Sequence, residues 1–211
     1  MISHFSSRLY LVVSEEACLG RDLLKVTEQA IRGGVDMVQL REKKMNNNEF
    51  IMQAVRLKEM LDVYSIPLII NDNIQVALHS QAFGIHVGNS DIPPSEIKKH
   101  WPQYNLLGYS IEYFDQLYNT EIQHADYLGI SPVFTTPTKT DTVVQWGLEG
   151  IQNIRKQTNK PLVAIGGMNA GNAYDVIKAG ADCIAVVSAI CGAEDPAKAA
   201  EVIRNQIEKA L

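Results

Sequence analysis

Several common signatures are missing from this 211-residue chain. No apolar run approaches the ~20 residues needed to span a bilayer as a helix, so no membrane partner is expected. The opening MISHFSSRLYLVV lacks a basic start, a long apolar region and a small-residue cleavage site, so no secretory signal is expected. Only three cysteines occur (Cys18, Cys183, Cys191), with no C-x-x-C spacing. An odd, unpatterned count reads as reduced thiols in the cytoplasm rather than a disulfide framework. Positive charge is not in excess. The formal net charge of −5 argues against nucleic acid or an anionic membrane as partner, although a local cluster of cations can still receive a small anion. There is no G-x-G-x-x-G after the first apolar run, which removes the dinucleotide fingerprint. No Gly-x-Ser-x-Gly or Cys/His arrangement supplies a nucleophile. The five histidines have no zinc-site spacing.

What is present is alternation. Short β-branched runs recur at Leu9–Val13, Met37–Arg41, Pro67–Asn71, Gly84–Val87, Leu106–Ser110, Tyr127–Ile130, Pro161–Ile165 and Cys183–Val187. Amphipathic stretches of helical period separate them, among them Gly20–Arg32, Asn48–Tyr64 and a last one over Asp195–Leu211. Brief strands apolar on both faces are those of a parallel sheet covered on both sides. Eight βα units in one domain, residues 1–211 without a linker or composition break, predict an α/β fold: a (β/α)₈ TIM barrel. A doubly wound open sheet is the alternative.

In such a barrel, chemistry sits at the C-terminal ends of the strands. Those ends carry Gln39, Arg41 and Lys43; Asn71 and Asp72; Asp91; Ser110; Gly166 and Gly167; Val187 and Ser188. Arg41, Lys43 and Lys139 can meet one polyanion. Asp72 and Asp91, from adjacent strands, offer two hard oxygen ligands to a Mg²⁺ ion. Gly166, Gly167 and Ser188 follow strands 7 and 8, where barrels commonly take a phosphate on backbone N–H groups. Each has a plainer reading. Asp72 and Asp91 could cap the helices that follow, the two glycines could be a simple turn, and His86 reads as a satisfied barrel-interior histidine. After strand 6 comes SPVFTTPTKTDT, with five threonines, two prolines and one lysine. It is either a solvated turn or an anion-binding lid.

The pieces VQLREK (Val38–Lys43), LIIND (Leu68–Asp72), GIHVGNSDIP (Gly84–Pro93), GYS (Gly108–Ser110), FTTPTKTDT with GLEG (Phe134–Gly150), VAIGGMNAGNA (Val163–Ala173) and AGADCIAVVSAI (Ala179–Ile190) resemble, in order, the thiamine-phosphate synthase family. The resemblance implies a transferase of thiamine biosynthesis. It would join hydroxymethylpyrimidine diphosphate to a thiazole phosphate, with Mg²⁺ as cofactor and pyrophosphate released through a carbocation. It further implies that Gln39, Arg41, Lys43, Asn71 and Lys139 hold the diphosphate. Asp72 and Asp91 would hold Mg²⁺, and Ser110 would lie near the departing pyrophosphate. Thr136, Thr138, Gly167, Val187 and Ser188 would receive the thiazole phosphate. Lys139, Ser110 and Arg41 are the catalytic candidates. The expected partners are small phosphorylated molecules, with a homodimer as the one assembly entertained. This chain departs from the family pattern at Glu112, where many relatives have His, and at Asn73, Asn89 and Tyr109; Trp146 has no motif role. The thiazole tautomerase branch on the same fold, a sugar-phosphate isomerase and a non-catalytic binding barrel are the rival readings. Asp91 and the threonine-rich stretch weigh against the first two.

Overall fold

The computed structural model describes residues 5–136 and 145–211. Thr138 and Lys139 therefore lie outside the described residues. Eight parallel strands close into a barrel in chain order. They are β1 (Leu9–Val13), β2 (Met37–Leu40), β3 (Leu68–Asn71), β4 (Gly84–Val87), β5 (Leu106–Ile111), β6 (Tyr127–Ile130), β7 (Leu162–Ile165) and β8 (Cys183–Val186). Closure is made by β8 against β1, with Leu9 opposite Ile184 and Leu11 opposite Val186. The open-sheet alternative is thereby excluded.

The strands are almost wholly buried because each packs on both faces, with only His86, Ser110 and Ile165 half-buried where they face the cavity. Successive side chains alternate across the wall. Leu9, Leu11, Val38, Leu40, Ile70, Ile85 and Leu128 point outward and share one core with the surrounding helices. Tyr10, Val12, Met37, Ile69, Leu106, Tyr127, Val163, Cys183 and Ala185 point inward and fill the barrel. The interior is thus a packed layer rather than a pore. That parity also decides which polar residues can reach the barrel mouth.

The helices are α1 (Leu23–Arg32), α2 (Asn47–Val63), α3 (Ile74–His79), α4 (Pro94–His100), α5 (Gly147–Arg155), α6 (Ala173–Lys178), the single turn α7 (Ser188–Cys191) and α8 (Pro196–Ala210). The expected first helix is shorter than its sequence period suggests, because Asp22 caps it by accepting from the Lys25 N–H. The β5–β6 connection is not an α-helix. Two 3₁₀ turns, Phe114–Tyr118 and Thr120–His124, fill it. No helix among the described residues is long and apolar enough to cross a membrane.

Candidate active site

The C-terminal ends of the strands surround one cavity of about 320 Å³. From β2 come Gln39, Arg41 and Lys43, and from β3 Asn71 and Asp72. Asp91 follows β4 and Ser110 stands near the end of β5. Thr136, Gly167, Val187 and Ser188 line the opposite side. The structure therefore brings together every sequence candidate within the described residues.

The acidic side has a specific local cause. Asp72 adopts φ +63°, a left-handed conformation unusual for a residue with a Cβ. Its N–H donates to the His86 carbonyl at 2.8 Å, which pins the turn. Its Oδ2 accepts from Lys43 Nζ at 2.5 Å and from Asn71 Nδ2 at 2.5 Å. Neither aspartate is a helix cap. Asn73 caps α3 by accepting from the Val76 N–H. Asp91 accepts from the Gly88 N–H at 2.8 Å, while α4 starts after Pro93 without a side-chain cap. Burial pushes the Asp91 carboxyl above its ordinary range, and a hydrogen-bonding contact with Asp72, together with its charge, adds to the shift. Lys43 opposes it. Two carboxyl groups forced together beside a lysine form a site that favours a cation.

The opposite side is shaped by backbone. Gly166 and Gly167 have φ of +100° and +69°. A Cβ on Gly166 would come within 2.6 Å of Pro132 Cβ, and one on Gly167 within 2.8 Å of the Thr135 carbonyl. Only glycine lets the β7 end lie this close to the segment after β6. Asn172 Nδ2 donates to the Gly167 carbonyl at 2.9 Å and fixes the turn's orientation.

Between the two sides, polar groups run through the barrel interior. Gln39 Nε2 donates to Tyr10 Oη at 2.7 Å. Tyr10 Oη lies 3.2 Å from Tyr127 Oη, and Tyr127 Oη 3.0 Å from His86 Nδ1. His86 Nε2 lies 2.9 Å from Ser110 Oγ. His86 is thus the satisfied interior histidine that its place in GIHV suggests. It is also half of a serine–histidine pair that no sequence spacing reveals. Gly108 makes room for it: a Cβ there would overlap both the Tyr127 and His86 rings.

Residues 9–190 match the family model described as thiamine monophosphate synthase. The chain belongs to the thiamine monophosphate synthase family. A thiamine-phosphate synthase of Albidiferax ferrireducens is 48% identical over 201 residues, 95% of this chain and 92% of that protein. One of Chloroflexus aurantiacus is 41% identical over 208 residues, covering 97% and 96%. The solved thiamine phosphate pyrophosphorylase of Pyrococcus furiosus superposes with a TM-score of 0.88 at 32% identity, covering 98% of each chain. A 3-hexulose-6-phosphate synthase aligns with a TM-score of 0.66 at 15% identity, which shows the shared fold alone.

Within the thiamine monophosphate synthase pattern, the departures noted in the sequence are not scattered. Asn89 Nδ2 donates to Glu112 Oε2 at 3.0 Å, and the Tyr109 hydroxyl donates to Asn89 Oδ1 at 2.9 Å. Gln116 Nε2 donates to the same Asn89 oxygen, and its Oε1 accepts from the Glu112 N–H at 2.6 Å. Three departures thus form one clasp over the β4 and β5 ends. Trp146 is structural: it immediately precedes α5, its ring packs over Gly150, and its backbone N–H donates to the Pro132 carbonyl. Sequence alone does not single out Tyr10 or Tyr127. The usable signal is parity, because both share the inward register of Gln39, His86 and Ser110.

Proposed function

We propose that this barrel makes thiamine phosphate, joining the pyrimidine diphosphate to the thiazole phosphate with loss of pyrophosphate. The observation that carries this reading is one cavity with two unlike anion-receiving sides. A carboxylate pair with Lys43 and Arg41 faces a glycine-built turn with Thr136 and Ser188. Membership of the thiamine monophosphate synthase family supplies the substrates that fit both sides.

The donor set fits Mg²⁺. Asp72 and Asp91 are hard oxygen ligands lining the same cavity, and a cation between them would favour the charged form of Asp91 that burial and Asp72 oppose. These two residues would hold the ion. When bound, it would neutralise charge that builds on the departing diphosphate.

The chain's own residues do the rest. Arg41 and Lys43 sit where the diphosphate's charge grows as the C–O bond breaks, so they stabilise the transition state more than the ground state. The bonding electrons leave with the bridging oxygen. The pyrimidine methylene carbon, left cationic, is then attacked by the lone pair of the thiazole nitrogen. Gly167, Ser188 and Thr136 hold the thiazole by its phosphate, so that nitrogen is oriented before the bond breaks. Val12, Val163, Ile165 and Ala185 line the cavity's inner part and limit water there.

The test is to mix the protein with both substrates and Mg²⁺ and measure thiamine phosphate. The expected result is Mg²⁺-dependent product that is lost in Asp72→Ala. Absence of product beside an active relative would sink the reading and bring the thiazole tautomerase or binding-protein alternatives forward.

A further inference from the structure

The interior polar run has a direction. A primary amide nitrogen can only donate, so Gln39 Nε2 leaves Tyr10 as the acceptor of that bond. The Tyr10 hydroxyl hydrogen then has Tyr127 Oη as its partner on the other side, at 3.2 Å. Tyr127 has accepted, so its own hydrogen goes to His86 Nδ1 at 3.0 Å. An imidazole that accepts at Nδ1 carries its hydrogen at Nε2. His86 Nε2 therefore donates to Ser110 Oγ at 2.9 Å. The serine hydrogen is left directed at the cavity.

We propose that Tyr10, Tyr127 and His86 are positioning residues that fix Ser110 as a one-way hydrogen-bond donor to the departing diphosphate, and that they thereby prevent it from acting as a nucleophile. The role given to the diphosphate rests on the function proposed above; the polarity of the run does not.

A serine 2.9 Å from a histidine nitrogen is otherwise the geometry of base-activated nucleophilic catalysis. That arrangement requires a bare Nε2 to take the serine proton. Here the tyrosine behind the ring claims the bare nitrogen instead: Tyr127, having accepted from Tyr10, sends its hydrogen to His86 Nδ1. The run is kept intact by its setting. Tyr10 and Tyr127 are 1% and 0% exposed. Burial pushes both phenols further above their ordinary values, so neither ionises in the neutral range. Phe5 covers Tyr127 from below, with ring centroids 5.2 Å apart. The polarity also suits a cationic intermediate. His86 offers it no lone pair, since Nδ1 is engaged and Nε2 is protonated. Ser110 presents its hydrogen to the anion that is leaving.

The experiment combines nitrogen NMR of histidine-labelled enzyme with kinetics of Tyr127→Phe, Tyr10→Phe and Ser110→Ala. The expected wild-type His86 is neutral and protonated at Nε2, and Tyr127→Phe converts it to a mixture of tautomers. Tyr127→Phe should lower kcat about tenfold, the scale of one misdirected charge-assisted hydrogen bond, with KM for both substrates within about twofold. Placed in Ser110→Ala, it should cost less than about twofold more, because its effect passes through the serine. If Tyr127→Phe does not fold, Tyr10→Phe breaks the run one link further away and should lower kcat about threefold with the same tautomer mixing. A wild-type His86 protonated at Nδ1, an imidazolium at assay pH, or an equal loss in the Ser110→Ala background would overturn the proposal. So would a covalent pyrimidine adduct on Ser110. The tautomer measurement needs no turnover, so failure of the proposed reaction and failure of the relay are read separately.

Discussion

Asp72 is asked to do two things at once, and a substitution series separates them. It holds a left-handed backbone, φ +63°, and it presents a carboxylate to Lys43 and Asp91. A left-handed residue with a Cβ costs about 1–2 kcal/mol. Asp72→Ala keeps that cost, whereas Asp72→Gly removes it but adds about 0.4–1 kcal/mol of unfolded-state entropy. Both lose the Lys43 pair alike. That lysine side chain is 51% exposed, so the shared loss is at most about 1 kcal/mol. The difference isolates the backbone: Asp72→Gly should be about 0.5–1 kcal/mol more stable than Asp72→Ala. For a domain of this size that is a rise in Tm of roughly 1–4 °C, measured by circular dichroism without Mg²⁺. Activity should behave differently. Either variant removes one of two proposed metal ligands, and the expected fall in kcat/KM at saturating Mg²⁺ is on the order of 10²–10³-fold. Asp72→Asn, which tolerates the same backbone, controls for folding. If Asp72→Ala matches or exceeds Asp72→Gly in stability, the strain argument fails. If Asp72→Gly keeps activity within about tenfold, Asp72 does not hold the metal.

Two further outcomes follow from the same geometry. Gly166→Ala places a Cβ within 2.6 Å of Pro132 at φ +100°, and strain plus overpacking should cost about 2–4 kcal/mol, lowering Tm by roughly 5–15 °C; an unchanged melt would show that the β7 turn does not need glycine. Burial, then the charges of Glu15 and Glu16, raise the Glu42 carboxyl, although it accepts from the Glu15 N–H at 2.7 Å. A raised folded-state value means the folded protein binds more protons than the unfolded chain, so this group's contribution to stability is present at low pH and is lost as pH climbs from the ordinary carboxylate range through the raised value. Glu42→Gln keeps the acceptor oxygen, and its stability relative to wild type should rise across that window and level above it. A flat difference across pH in denaturant titrations would refute the assignment.

The fold was legible because a parallel strand buried on both faces leaves a simple trace: short, β-branched and unbroken. The β5–β6 connection was not, because 3₁₀ turns have no amphipathic period long enough to read. The site was legible at the strand ends, where Gln39, Arg41, Asn71, Ser110 and Gly167 fall by register alone. What could not be read is conformation and partnership. Nothing in IND says that its aspartate is left-handed, or that the cap of α3 is Asn73 instead. Tyr10 and Tyr127 sit in apolar runs and look like core aromatics, since their hydroxyl partners come from strands far away in sequence. Glu112, Asn89 and Tyr109 look like three separate departures until their hydrogen bonds join them to Gln116.

The arrangement also explains how a chain of net charge −5 can serve two anionic substrates. Overall charge governs long-range approach, whereas affinity for a phosphate is set within a few ångströms. At the β2–β4 ends, Lys43 is already paired with Asp72, so a diphosphate arriving there without a metal would meet two carboxyl groups and a partly neutralised lysine. On the proposed reading, a divalent ion held by Asp72 and Asp91 would compensate the two carboxylates and leave Lys43 free for the substrate. On the proposed mechanism, metal and diphosphate therefore reinforce each other's binding. The β6–β8 side carries no such acidic pair among the described residues lining the cavity, and its glycine turn with Thr136 and Ser188 would take the thiazole phosphate through neutral groups. On that reading the two substrates would be told apart by charge density. The end with the carboxylate pair would take the metal-bound diphosphate, and the end that offers only neutral dipoles would take the monoester. Ser110 lines the cavity with both groups of residues, and on the proposal its donor direction, set from inside the barrel, would serve the bond between carbon and diphosphate as it breaks.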